Sequence, residues 1–144
     1  MEYKKVYSEE EILILLKSFE GCFPHLRSHI TNLADYSKKL ASYAEVYSFW
    51  RGDTVMGIVV FYANDRKTYY GYISLIGLLP EYRRKGNGAA LLRFCEEKMR
   101  QAGEKQLKLE VDDDNISAQG FYRHMGLKET GRASETSFYM EKDL

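Results

Sequence analysis

One stretch constrains this chain more than any other: Leu78-Leu79-Pro80-Glu81-Tyr82-Arg83-Arg84-Lys85-Gly86-Asn87-Gly88-Ala89-Ala90-Leu91-Leu92. An apolar run gives way to a short basic turn, two glycines follow one residue apart, and an amphipathic segment begins. The pattern predicts a strand, an anion-binding loop and a helix. The first N–H groups of a helix lack intrahelical partners and lie at the positive end of its dipole. Gly86 and Gly88 carry no Cβ, so the backbone there can bend sharply and come close to a bulky anion. Arg83, Arg84 and Lys85 add charge and donors suited to phosphate. A phosphate or pyrophosphate is therefore expected at this loop. A basic glycine turn before a helix also occurs as a plain solvated connection, so the loop needs support from elsewhere in the chain.

Two common phosphate loops do not fit. A Walker A loop needs Lys and Ser or Thr after its last glycine, whereas Gly88 is followed by Ala89 and Ala90. A dinucleotide fingerprint needs a small residue three positions after Gly88, where Leu91 stands. Charge bounds the partner further. With 21 basic and 21 acidic residues in a chain of 144, no broad field points to nucleic acid or an anionic membrane. The basic cluster is local, as a small-anion site requires. The length suits one domain, residues 1–144, with a core of its own. Cys22 and Cys95 form neither a metal cluster nor a disulfide framework, and no apolar run reaches spanning length, so a cytoplasmic protein with two free thiols is expected.

The periodicities order the chain. Glu2 to Val6 reads as a short edge strand. Ser8 caps a helix with Ile12, Leu15, Leu16 and Phe19 at helical spacing, ended by Gly21 and Pro24. A second helix is expected from about Asn32 to Tyr43. Glu45–Trp50 and Thr54–Ala63 flank the turn Arg51-Gly52-Asp53, and Tyr69–Leu79 is a strand leading into the glycine loop. Ile58–Phe61 and Ile73–Leu79 are apolar throughout, as in strands covered on both faces. The helix after Gly88 ends near Gly103. Lys105–Val111 alternates, with Leu107, Leu109 and Val111 on one face and Glu110 on the other. Asn115 or Asp114 caps a helix to about His124, and two strands close the chain. His25 and His29 are four apart, but no third ligand accompanies them, so no metal is expected.

The spacing Arg83-x-x-Gly86-x-Gly88 resembles the acetyl-CoA pyrophosphate loop of the GNAT superfamily of N-acetyltransferases. A second run resembles that superfamily's other signature: Asn115-Ile116-Ser117-Ala118-Gln119-Gly120-Phe121-Tyr122-Arg123-His124-Met125-Gly126-Leu127. Leu109-Glu110-Val111, and the 12-residue step from Glu110 to Tyr122, are similar to bacterial ribosomal-protein alanine acetyltransferases. Gly120 departs from the pattern, since the family more often has a larger residue in mid-helix. The resemblance covers Val55 to the C-terminus, and before Val55 only the order of elements supports it.

The resemblance implies a three-layer α/β/α fold with a mixed sheet splayed at its centre, and acetyl-CoA as co-substrate. It implies that Arg83, Arg84, Lys85, Gly86, Asn87, Gly88 and Ala89 hold the pyrophosphate. The main chain at Ile76, Leu78 and Leu79 would meet the pantetheine arm and polarise the thioester carbonyl, and Asn115 would hold the arm from the other side. The amine attacks the thioester directly, so no nucleophilic cysteine is needed. Tyr122 stands at the position of the family's general acid, and a phenol's pKa of about 10 lies near that of a thiol. Glu110 is the candidate base, directly or through a water. Each has a plainer reading: Tyr122 as one packed aromatic among twelve tyrosines, Glu110 as part of a polar strand face.

For the acceptor, the resemblance points to the link holding Phe23, His25 and Arg27 and to Arg132–Thr136. The second link lacks the tyrosines of the ribosomal-protein enzymes. A small amine is thus at least as well matched as a protein N-terminus. The protein would act as a monomer or homodimer. The alternative function is an acyl-CoA-binding sensor without turnover.

Overall fold

The computed structural model describes residues 1–26 and 30–144. Its elements are β1 (Glu2–Lys5), α1 (Glu9–Ser18), α2 (Leu33–Tyr43), β2 (Glu45–Arg51), β3 (Thr54–Tyr62), β4 (Tyr70–Leu78), α3 (Asn87–Gln101), β5 (Gln106–Asp112), α4 (Ile116–His124), β6 (Lys128–Arg132) and β7 (Ser137–Asp143). The strands form a mixed sheet in the order β1-β2-β3-β4-β5-β7-β6. β4 and β5 are parallel, whereas β1–β2, β2–β3, β5–β7 and β6–β7 are antiparallel. The chain divides into two compact units, Met1–Phe61 with Leu75–Leu92, and Tyr62–Ser74 with Arg93–Leu144.

In the first unit, both helices begin where a polar side chain satisfies an otherwise orphaned N–H. Ser8 accepts from Glu11 N at 3.1 Å, and Asn32 accepts from Asp35 N at 3.1 Å. The apolar stripe of α1 is fully buried at Ile12 and Leu16, and that of α2 at Leu40. Ile58, Val59, Val60 and Phe61 are all buried, as expected of a strand covered on both faces. Arg51-Gly52-Asp53 is the expected turn, with Arg51 paired to Thr54 across it.

In the second unit, Leu107, Leu109 and Val111 are buried while Glu110 is exposed, so the period-two reading of β5 holds. Gly71 of β4 passes so near α3 that an added Cβ would lie 2.3 Å from Met99 Sδ. The buried Glu96 of α3 is paired with Lys142 of β7 at 2.6 Å. Gly120 sits inside α4 with open space around it. Gly120→Ala should therefore stabilise the protein by up to about 1 kcal/mol, the helix-propensity difference. A urea midpoint that rises at constant m-value would show it, and a fall would mean the helix needs the glycine.

One strand departs from expectation. Ser74 to Gly77 of β4 are only half-buried, although the run Ile73–Leu79 reads as covered on both faces. The parallel ladder explains the difference. It joins Tyr70–Ile73 to Gln106–Leu109 and stops there, while β4 continues to Leu78.

Candidate active site

The basic loop is the first part of the site, and its backbone is shaped for an anion. A 3-10 turn over Pro80–Tyr82 is followed by Arg83 in extended conformation, then Arg84 at φ +62° and Gly86 at φ +80°. Left-handed residues interrupting a turn bring successive N–H groups towards one point, the nest that binds phosphate. For Gly86 this φ is easy; for Arg84 it costs roughly 1 kcal/mol or more, and such strain collects at functional sites. Asn87 opens the 15-residue helix α3, so the loop ends on the positive pole of a long helix. Arg84, Lys85 and Gly86 are exposed. Backbone, dipole and charge all fit a pyrophosphate.

Two of the expected phosphate ligands also build the loop. Asn87 is buried, and its Nδ2 donates to Tyr82 O at 2.9 Å, closing the turn. Arg83 Nε donates to Leu78 O at 3.0 Å, and its Nη2 donates to Cys22 Sγ at 3.4 Å. The Cys22 thiol in turn donates to Leu78 O at 3.3 Å. Leu78 O is thus already engaged, as is Leu79 N–H, which donates to Met56 O at 2.9 Å. Of the three main-chain positions expected to meet the pantetheine arm, Ile76 lies in the half-open segment. Beside it, the Phe23 ring lies against Gly77, where a Cβ would come within 2.8 Å of Phe23 Cζ. His25 is exposed, whereas Arg27 and His29 lie outside the described residues.

The groups expected to move protons lie in the second unit. Tyr122, near the end of α4, is half-buried with its hydroxyl in dry surroundings. Burial first, and the nearby Cys95 thiol second, push the phenol well above its ordinary value, so it keeps its proton across the working range. Cys95 itself is fully buried, and desolvation holds its thiol protonated too, as a core cysteine requires.

Glu110 is exposed on β5, but its carboxylate is held. Ser137 Oγ donates to Glu110 Oε2 at 2.6 Å, and Ser134 Oγ lies 2.7 Å from Ser137 Oγ. Ser137 is buried. This pairing of Ser134 in the β6–β7 link with Ser137 at the start of β7 was not foreseen from the sequence, because only the register of β7 brings Ser137 within reach of Glu110. Asn115 caps α4, its Oδ1 accepting from Ala118 N at 3.2 Å, and its Nδ2 makes no hydrogen bond among the described residues. The buried Gln119 steadies the turn before it, donating to Asp112 O and Asp113 O at 2.9 and 3.0 Å. No motif announced Gln119; its burial within a polar segment is what marks it.

Residues 11–127 match the model of the Acetyltransferase (GNAT) family. Over 59 residues the chain is 32% identical to N-alpha-acetyltransferase 30 of Schizosaccharomyces pombe, covering 41% of this chain and 39% of that relative. Over 135 residues it is 24% identical to N-alpha-acetyltransferase MAK3 of Arabidopsis thaliana, covering 88% of this chain and 71% of the relative. The paia N-acetyltransferase of Thermoplasma acidophilum, solved with coenzyme A, superposes at a TM-score of 0.76 with 19% identity over the full length of both chains. A GNAT family acetyltransferase of Elizabethkingia anophelis with acetyl-CoA bound gives a TM-score of 0.72 at 14% identity, over 99% of this chain and 97% of that one. At such identities these structures establish the fold.

Proposed function

Since the chain belongs to the GNAT family of acetyltransferases, we propose that it is an acetyl-CoA-dependent N-acetyltransferase acting on a primary amine. The observation that carries this reading is the strained, basic nest at Arg83–Gly86 on the N-terminus of α3. Acetyl-CoA would supply the activated acyl thioester. The nest amides, with Arg84 and Lys85, would hold its pyrophosphate, and Ile76 would offer main-chain groups to the pantetheine arm. Asn115 has amide donors to spare for the same arm.

Two proton transfers then fall to the protein. An ammonium must lose a proton before its nitrogen can form the new C–N bond, and Glu110 is the carboxylate for that task. As the C–S bond breaks, the departing thiolate takes the proton of Tyr122. Burial keeps the phenol protonated at every working pH but also raises its pKa away from that of the departing thiol. Its assignment as the acid therefore rests on its position and not on a matched pKa. Ser137 would act as a positioning residue, holding Glu110 in one orientation. The two buried or half-buried cysteines, Cys22 and Cys95, are free thiols, which supports a cytoplasmic setting.

Thiol release from acetyl-CoA across a panel of primary amines and short peptides with free N-termini tests the reading. Turnover on at least one class is expected. Tight binding of acetyl-CoA with no turnover on any would instead support a sensor. Glu110→Gln sharpens the assignment. It keeps the shape but cannot take up a proton, so the rate deficit should be largest at low pH and shrink as the amine becomes neutral by itself. A deficit constant across pH would move Glu110 from base to substrate binding.

A further inference from the structure

A cavity of about 400 Å³ opens in the second unit, within the size range of small-ligand sites. Tyr62, Asp65, Tyr70, Tyr72, Lys108 and Tyr139 line it. It lies on the sheet face that carries Glu110, for Lys108 and Glu110 alternate with the buried Leu107, Leu109 and Val111. Tyr72 is paired with Lys108 in register, and Tyr139 with Glu110. The cavity and the candidate base therefore share one surface.

The charges in this cavity are unevenly satisfied. Asp65 takes the N–H groups of Lys67 and Thr68 at 2.8 and 2.9 Å, and the Thr68 hydroxyl as well. Beside the cavity, Glu141 accepts from the Thr130 hydroxyl. Lys108 differs. Its ammonium stands 4.2 Å from the Tyr139 ring centroid and 5.3 Å from that of Tyr70. Glu141 stands directly opposite Lys108 in register, yet no ion pair joins Lys108 to a carboxylate among the described residues, and two tyrosine faces hold the ammonium instead. Resting on the acetyl-transfer reading for its amine end, we propose that this cavity binds the acceptor, and that the acceptor is a small amine bearing a carboxylate across a flat apolar spacer.

The spacing gives the shape of that acceptor. Two residues along a strand separate the backbones of Lys108 and Glu110 by about 7 Å. An amine presented to Glu110 would place a carboxylate on Lys108 if a spacer of that length joined them. The tyrosines supply the walls for such a spacer, since aromatic faces stack on flat apolar groups. Glu110 attracts the ammonium end and Lys108 the carboxylate end, so the ligand can enter in one direction only.

4-(Aminomethyl)benzoate has this form, and benzylamine is the same molecule without the carboxylate, with an amine of similar basicity. With the full-length protein and saturating acetyl-CoA, kcat/KM for the benzoate should exceed that for benzylamine at least tenfold. Lys108→Met keeps the side-chain length and removes the charge, and should bring the ratio close to one. Lys108→Arg should preserve it. Without acetyl-CoA, the benzoate should shift the NMR signals of Tyr72 and Tyr139 saturably, and more weakly in Lys108→Met. Equal rates for the two amines, or the absence of saturable shifts, would overturn the proposal. So would a ratio unchanged in Lys108→Met, or turnover confined to peptides. Saturable binding of the benzoate with no turnover of any amine would uphold the cavity and remove the enzymatic reading.

Discussion

Tyr122→Phe should lower kcat by about 10²–10⁴-fold with acetyl-CoA affinity nearly unchanged, the usual worth of a positioned acid. The substitution removes one hydroxyl from a half-buried ring that packs 5.4 Å from Phe121, so the helix keeps its shape. Without the phenol, the leaving thiolate must find its proton in water. The pH dependence distinguishes this role from a structural one. Because burial raises the phenol's pKa, the deficit should persist beyond pH 10, the ordinary value for tyrosine. Burial of the phenol has a separate consequence for stability, whatever its role in catalysis. A folded-state pKa above the unfolded one contributes stability below about pH 10 and loses it as pH rises through the folded value. The Phe variant lacks that titration and should lose less stability than the parent under alkaline conditions. Single-turnover measurements, where chemistry limits the rate, provide the decisive comparison. An unchanged rate there would remove Tyr122 from the mechanism.

Gly88→Val should weaken acetyl-CoA binding by at least about 100-fold, the loss of two or more charge-assisted hydrogen bonds. Gly88 is the second residue of α3, directly after the basic loop, and under the proposed function a side chain added there would stand in the path of the pyrophosphate. Helical backbone is open to valine there, so the fold should survive, with a thermal midpoint within a few degrees of the parent. Isothermal titration with CoA measures the effect. Adenosine, which lacks the pyrophosphate, makes the control: whatever weak affinity it has should be the same in both proteins. A variant that binds CoA as tightly as the parent would place the pyrophosphate elsewhere.

The order of strands and helices was legible in the sequence because each element carries its own signal. Ser8 announces a helix start through its side chain and accepts the expected N–H, and Asn32, read only as the approximate start of the next helix, caps it in the same way. Leu107, Leu109 and Val111 alternate with polar residues, and a strand is the one conformation in which that spacing buries a single face. The turn and helix start around Arg83–Gly88 were legible for the same reason, because the glycines, basic residues and first turn of α3 are neighbours in the chain.

What the tertiary structure decided concerns groups brought together from distant positions. Ile73–Leu79 reads as fully covered, yet Ser74–Gly77 stay half-open because the ladder to β5 ends at Ile73. No residue in that run records where its neighbour stops. Arg83 reads as a phosphate ligand, but its Nε closes on Leu78 O beside Cys22, 61 positions away in the chain. Ser137 reaches Glu110 across 27 positions because β7 pairs antiparallel with β5 in one register, and a shift of a single residue would turn Ser137 to the other face. Lys108 reads as one more charge on a polar strand face, and only the pairing of β4, β5 and β7 sets it on two tyrosine rings. Local conformation follows from neighbours in sequence, so the elements and the loop belong to the sequence alone. Register and burial are collective, since each depends on every other strand in the sheet, and they determine which side chains the elements present to a substrate.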